Sequence, residues 1–128
     1  MSEIYTRMII DLYRNPLNYG EIEKPDIKAK DTNPICGDII EIQIKLNKDI
    51  IKDVKFNGKG CAISMASASL LTEMIKGKSI DESLKMDKND ILDALGIKMS
   101  LVRLKCALLP LRTLKMGIYS YLGKSDKV

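Results

Sequence analysis

The chain has 128 residues, of which 45% are hydrophobic and 30% are charged, so we expect one domain, residues 1–128, with its own core. Its formal net charge is +4, but Lys and acidic residues are interspersed and the only aromatic residues are five Tyr and one Phe, which argues against nucleic-acid binding. No apolar run approaches the ~20 residues of a membrane span, and no basic and apolar signal segment starts the chain. We therefore expect a cytoplasmic protein that binds no membrane and keeps its thiols reduced.

The N-terminal region predicts one amphipathic helix. Residues 2–14 carry apolar side chains at steps of three and four, which places them on one helical face. Asn15-Pro16 ends this helix, because a residue before proline is biased away from the helical conformation. Residues 17–25, which contain Asn, Gly and Pro, are predicted to form a loop.

Strands follow this loop. Residues 26–30 are compatible with a short strand, and residues 40–46 alternate strictly between apolar and polar side chains, as half-buried strands do. A turn at 47–49 and a further strand at 50–57 follow. The short connection predicts an antiparallel hairpin.

The second half of the chain is predicted to be helical. Residues 62–76 are rich in Ala, Ser, Leu and Met and contain no proline, which favours a helix. The Ser79-Ile80-Asp81-Glu82 sequence is a capping box that opens a short helix. Asp87 is predicted to cap another helix that stops at Gly96.

The last helix is predicted to run from about Cys106 or Ala107 to Leu122, since Pro110 is tolerated only in a first turn. Helix, strands and then several helices predict an α+β domain with a small antiparallel sheet covered on one face.

The three cysteines are the candidate functional residues of a chain that has no histidine. Cys36, Cys61 and Cys106 are too far apart for a zinc finger built of CxxC pairs, and an odd number argues against a disulfide framework. Asp38, two residues after Cys36, offers a fourth ligand. Three thiolates and one carboxylate would suit a soft metal ion or a small iron–sulfur cluster if the fold brings them together.

Local charge favours the ionised thiols. Cys61 and Cys106 are predicted to precede helices, whose N-termini stabilise a thiolate, and Lys105 adds positive charge that would tune the site. The alternatives remain open at this point: a single cysteine is usually a small buried hydrophobe, Asp38 could be only a turn residue, and Lys105 could be only an exposed lysine.

Four segments together resemble the IscU/NifU-type scaffold family for iron–sulfur cluster assembly. The first is Asn33-Pro34-Ile35-Cys36-Gly37-Asp38, and the second is the glycine-, cysteine- and serine-rich run from Gly58 to Ser69. The third is residues 72–78, and the fourth is Arg103-x-Lys105-Cys106-Ala107. The similarity extends from the N-terminal helix almost to the end of the chain.

The resemblance implies a three-stranded antiparallel sheet with helices on one face and a metal site at one tip. It also implies that Cys36, Asp38, Cys61 and Cys106 are the ligands of a [2Fe–2S] cluster. Proteins of this family accept sulfur from a cysteine desulfurase, assemble the cluster and pass it to apo-proteins. They are scaffolds and carriers, so the resemblance does not predict an enzyme.

This chain differs from each branch in some features, which gives it a mixed character. The IscU branch has a histidine before its third cysteine, whereas this chain has Lys105, which together with residues 63–69 resembles the SufU branch. SufU proteins, many of which bind zinc, typically carry an insertion before the third cysteine, and this chain has the short IscU-type connection. Residues 99–103 also lack both prolines of the segment that IscU presents to its Hsp70-type chaperone.

Three functions are compatible with the sequence. The first is a scaffold for a transient [2Fe–2S] cluster, and the second is a zinc-dependent sulfur acceptor that works with a cysteine desulfurase. The third is a domain whose metal is purely structural, in which case loss of any ligand should unfold the protein. The sequence leaves open which cysteine accepts sulfur and whether the cluster is shared between subunits of a homo-oligomer.

Overall fold

An antiparallel sheet with the strand order β1-β2-β3 forms one layer, and helices pack against one of its faces. The computed structural model describes residues 2–126. The strands are β1 (Ile27–Asn33), β2 (Asp38–Asn47) and β3 (Ile50–Lys59). The helices are α1 (Ser2–Arg14), α2 (Ala62–Ile75), α3 (Ile80–Leu84), α4 (Lys88–Leu95) and α5 (Leu101–Asp126). The predicted α+β class, the three-stranded sheet and the helices on one face are confirmed.

The alternating pattern of β2 defines the buried face of the sheet. Ile40, Ile42 and Ile44 are at most 1% exposed, and Ile42 lies between Ala29 of β1 and Phe56 of β3. Helix α5 packs over β1 and β2, and α2 packs over β3. The core therefore lies between the sheet and these two helices.

Strand β1 is longer than the sequence predicted. The short strand predicted at 26–30 extends to Asn33, which pairs with Asp38 at the start of β2. Only residues 34–37 connect the two strands, and they form a turn. Periodicity could not predict this extension, because the outer half of β1 is polar and gains its structure from pairing with β2.

The loop at 17–25 and the short helices agree with prediction. The loop is tied to the edge of β3, where the Gly20 N–H donates to the Phe56 carbonyl at 2.9 Å. Ser79 and Glu82 form the predicted capping box of α3. Asp87 caps α4, which ends at Gly96 in a left-handed conformation.

The predicted start of the last helix is wrong. Helix α5 begins at Leu101, five residues before Cys106, and contains Pro110 in its interior. Proline lacks an N–H group and so deprives the Cys106 carbonyl of its helical partner. Packing outweighs this loss, because α5 lies against β1, β2 and α2. The Ser67 hydroxyl of α2 also donates to the Ala107 carbonyl at 2.5 Å.

None of the helices within residues 2–126 is both long and apolar enough to cross a membrane.

Candidate metal centre

Three chain segments meet at one end of the sheet. They are the β1–β2 turn that carries Cys36, the junction of β3 and α2 that carries Cys61, and the second turn of α5, which carries Cys106. Asp38 is the first residue of β2 and faces the same region. The predicted location of the site at one tip of the domain is confirmed.

Cys36 lies on an exposed turn that is held by backbone hydrogen bonds. The Asn33 carbonyl accepts the N–H of Cys36 at 3.2 Å and the N–H of Gly37 at 2.8 Å. Gly37 has a φ of 72°, which glycine adopts without the strain that a side chain would cause. Cys36 therefore reaches the site from the turn, whereas Asp38 reaches it from the first residue of β2.

Asp38 is buried, and only one of its two carboxylate oxygens accepts a hydrogen bond from the described residues. It is 1% exposed, and its Oδ1 atom accepts the Cys61 N–H at 3.0 Å. Its Oδ2 atom is buried without a hydrogen-bond partner among residues 2–126. Because an unpaired buried carboxylate oxygen is energetically costly, this atom is a natural ligand for a cation.

Cys106 is the most deeply buried of the three thiols, with no exposed surface. Its Sγ atom lies 3.2 Å from Sγ of Cys36, and the Asn33 side-chain amide donates to it at 3.7 Å. Burial, followed by the nearby Cys36, Asp38 and Cys61 side chains, raises the pKa of the Cys106 thiol. The predicted stabilisation of a thiolate by a helix N-terminus is therefore wrong for Cys106, because this residue lies inside α5 and its burial favours the protonated thiol.

Three of the four predicted ligands converge. One donor atom each from Cys36, Asp38 and Cys106 lies within 4.8 Å of the other two. Donor atoms bound to tetrahedral zinc at 2.0–2.3 Å are about 3.3–3.8 Å apart. Small side-chain movements are therefore enough for one metal ion to contact all three.

Cys61 lies beside this group and its sulfur caps α2. Its Sγ atom accepts the Ser64 N–H at 3.5 Å and lies 3.8 Å from the Ser64 hydroxyl. It also helps to raise the Cys106 pKa, so the two thiols are electrostatic neighbours. Cys61 does not belong to the group of donor atoms within 4.8 Å of one another that the described residues form, and its role as a ligand stays a prediction.

Lys105 is exposed on α5, whereas the adjacent Cys106 is buried. It lines a surface groove of about 530 Å³ together with Leu101, Leu104, Leu108 and Arg112. Its predicted tuning of the site by positive charge stays a prediction.

Sequence reasoning missed two residues of the site. Asn33 was read only as part of a motif, yet it contacts both Cys36 and Cys106. Ser64 was read only as a small helical residue, yet its N–H and hydroxyl contact Cys61. Both roles depend on strand register and helix position, which no local sequence pattern reveals. For Asn33, the one indication in the sequence was its position in the motif that contains Cys36, shortly after a predicted strand.

Comparison with known proteins identifies the family. The family model described as NifU-like N terminal domain matches residues 4–128. The chain belongs to this family. The family includes both the IscU and the SufU branch, which the sequence of this chain resembles.

Relatives of both branches are similar over most of the chain. An iron–sulfur cluster assembly scaffold protein IscU 1 of Archaeoglobus fulgidus is 37% identical over 125 residues, covering 98% of this chain and 81% of that protein. The IscU scaffold protein of Escherichia coli is 36% identical, covering 95% and 97%. A zinc-dependent sulfurtransferase SufU of Bacillus subtilis is 38% identical over 135 residues, covering 92% and 91%.

A solved structure has the same fold. The crystal structure of a putative iron–sulfur cluster assembly scaffold protein for the SUF system from Fervidobacterium islandicum superimposes with a TM-score of 0.78 at 32% identity. The match covers 91% of this chain and 97% of that chain. The arrangement of sheet and helices is therefore that of an experimentally determined relative.

Proposed function

We propose that this protein is a scaffold that assembles a transient [2Fe–2S] cluster and transfers it to apo-proteins. The observation that carries the proposal is the convergence of Cys36, Asp38 and Cys106 within 4.8 Å at the tip of a chain that is 36–37% identical to IscU scaffold proteins. Cys61 completes the ligand set by leaving its position at the α2 N-terminus. In this role the cluster is cargo and the protein is a carrier, not a catalyst.

The donor set suits temporary binding. Thiolates are strong ligands for iron–sulfur clusters, whereas a carboxylate is a harder and weaker partner for iron in a sulfide-rich environment. Asp38 therefore provides the bond that breaks first. Its second oxygen has no competing hydrogen bond among the described residues, so the carboxylate is available to iron without losing an existing contact.

Accessibility suggests where sulfur enters. Cys36 is exposed, Cys61 is half-buried and Cys106 is buried. A sulfur donor such as the persulfide of a cysteine desulfurase would reach Cys36 on its turn first: the Cys36 thiolate attacks the outer sulfur, the S–S bond of the donor breaks, and the donor cysteine leaves as a thiolate. Cys106, whose sulfur lies 3.2 Å from that of Cys36, can take the outer sulfur in the same way, which releases Cys36 as a thiolate. The recipients on the other side of the cycle are apo-proteins that bind the finished cluster.

A zinc-dependent sulfur acceptor is the second candidate function. The similarity to the Bacillus subtilis SufU protein favours it, and Cys36, Asp38, Cys61 and Cys106 could equally hold tetrahedral zinc. The alignment with that protein spans 135 positions although this chain has 128 residues, so the relative has residues without a counterpart here. The alignments with the two IscU proteins span 125 and 126 positions, which is no longer than this chain. This agreement in length favours the scaffold.

Cluster transfer is the test that separates the two functions. The protein is reconstituted with iron and sulfide without oxygen and then mixed with an apo-ferredoxin, and circular dichroism in the visible range follows the movement of the cluster. A scaffold transfers the intact cluster even when a chelator is present to trap free iron. A sulfur acceptor binds zinc, takes up sulfur from a desulfurase, and transfers no cluster.

A further inference from the structure

Asn33 is a buried polar residue in the centre of the candidate metal site. It is 5% exposed, ends β1, and pairs with Asp38 across the hairpin. A buried amide must find hydrogen-bond partners or lose stability. Asn33 contacts two of the three segments that carry the cysteines: its carbonyl contacts the turn with Cys36, and its side-chain amide contacts Cys106 of α5.

The backbone of Asn33 organises the turn that carries Cys36. Its carbonyl accepts two N–H groups, those of Cys36 and Gly37, at 3.2 and 2.8 Å. These bonds close the turn directly after β1 and fix where the Cys36 side chain starts. This contact belongs to the backbone and would survive most substitutions of the side chain.

The side chain of Asn33 points to the other thiol. Its Nδ2 atom donates to Sγ of Cys106 at 3.7 Å, and that sulfur lies 3.2 Å from Sγ of Cys36. A sulfur acceptor at this distance is within the usual range, and the bond strengthens when the thiol becomes a thiolate because the acceptor is then charged.

We propose that Asn33 is a positioning residue that holds Cys106 through an N–H···S hydrogen bond in the metal-bound protein and weakens this sulfur as an electron donor. This inference rests on the proposed function, since it needs a metal or cluster bound to Cys106. Hydrogen bonds to ligating sulfur atoms raise the reduction potential of a cluster. Partners of metal ligands also hold them in orientation, and their loss typically costs 10–100-fold in metal affinity.

The alternative is that Asn33 only closes the hairpin. In that case its backbone would make every contact that matters, and the amide would merely occupy buried space. Loss of the amide would then change the stability of the protein but not the electronic properties of a bound metal, so a spectroscopic measurement distinguishes the two.

Cobalt substitution provides this measurement. The Asn33→Leu variant keeps the size of the side chain and removes its donor, and its Co²⁺ complex is compared with that of the unchanged protein. We expect the thiolate-to-cobalt charge-transfer band to move to longer wavelength and the Co²⁺ affinity to fall by roughly 10–100-fold. Asn57→Leu is the matched control, because the Asn57 amide contacts Glu41 and Gly20 instead of a sulfur, and it should leave the band unchanged.

A second measurement needs no substitution and so does not depend on the variant folding. In the ¹⁵N-labelled protein loaded with ¹¹³Cd, the proposed bond predicts scalar coupling between the metal and an Asn33 side-chain amide proton. Absence of this coupling, or an unchanged band in Asn33→Leu, would overturn the inference while leaving the metal site intact. If the unchanged protein binds Co²⁺ and Cd²⁺ without thiolate bands, the proposed function itself fails.

Discussion

The sulfur atoms of Cys36 and Cys106 lie 3.2 Å apart, although one belongs to an exposed turn and the other to the buried side of α5. Two hydrogen bonds to the Asn33 carbonyl hold the turn in place, and packing of α5 against β1 holds the helix. The closeness of the two thiols therefore follows from the fold.

This pair should be the first to oxidise in the metal-free protein. Hydrogen peroxide would remove one hydrogen from each thiol, forming the disulfide and two molecules of water. The sulfur atoms need to approach by only about 1.2 Å to reach a bond length near 2.05 Å, and the exposed turn of Cys36 can supply this movement. Peptide mapping by mass spectrometry should find the Cys36–Cys106 link.

Two controls sharpen this prediction. Cys61→Ser should still form the link, and loading the protein with zinc should prevent it, because bound metal occupies both sulfur atoms. A dominant link that involves Cys61 would contradict the observed positions of the three thiols.

The raised pKa of Cys106 predicts that the metal-free protein becomes less stable in alkali. Its burial keeps the folded thiol protonated, whereas the unfolded thiol ionises near pH 8.5. Below that pH both states hold the proton and stability is unaffected. Above it the unfolded state binds fewer protons, so the free energy of unfolding falls by up to about 1.4 kcal/mol per pH unit.

Urea unfolding with a reductant and a chelator, over the range from about pH 7 to 10, measures this effect. Cys106→Ala should flatten the pH dependence, whereas Cys36→Ser should retain most of it because Cys36 is exposed. A stability that rises between about pH 8.5 and 10 would contradict the assignment.

Much of the fold could be predicted because it depends on local rules. Alternation at Ile40, Ile42 and Ile44 identified β2, and the caps at Ser79 and Asp87 identified α3 and α4. The start of α5 could not be predicted in the same way, since the local penalty of an interior proline is outweighed by contacts with other elements.

In the candidate site too, some features could be predicted from the sequence and others depend on tertiary contacts. The four ligands were predicted from family motifs, not from physical chemistry alone, and three of them do converge. The orientation of Cys61 toward Ser64 and the contacts of Asn33 depend on strand register and helix position. These arise only when the whole chain has folded.

Removing the carboxylate should prolong the lifetime of a bound cluster. Asp38→Ala eliminates the weakest proposed ligand and leaves three thiolates, so we expect slower loss of the cluster and slower transfer to an apo-ferredoxin. Visible absorption after addition of a chelator gives the lifetime. Asp31→Ala is the control, because Asp31 pairs with Arg112 at 2.6 Å and is not a proposed ligand. Equal lifetimes and transfer rates in the two variants would argue against the role of Asp38.

Gly60 lacks a side chain at a position where one would disturb the site. A Cβ atom at this position would overlap Oγ of Ser64 and lie 3.2 Å from Oδ1 of Asp38. Gly60→Ala should therefore displace both side chains and lower Co²⁺ affinity by roughly 10–100-fold, the range seen when residues that support metal ligands are lost.

A glycine in open space provides the comparison. A Cβ atom added at Gly123 of α5 would have open space around it, with no neighbouring atom of the described residues within 4 Å. Gly123→Ala should therefore leave Co²⁺ affinity unchanged and stabilise the helix by about 0.5–1 kcal/mol. Similar Co²⁺ affinities in the two variants would contradict the prediction, because they would show that the side chains around Gly60 accommodate a methyl group without moving the proposed ligands.

The most direct test of the central claim is the metal content of the protein purified and reconstituted without oxygen. Iron, acid-labile sulfide and zinc are quantified together with the visible absorption spectrum. A scaffold should contain about two iron and two sulfide per [2Fe–2S] site, with thiolate-to-iron charge-transfer bands. Stoichiometric zinc that persists, with no iron bound after reconstitution, would contradict the scaffold and favour sulfur transfer.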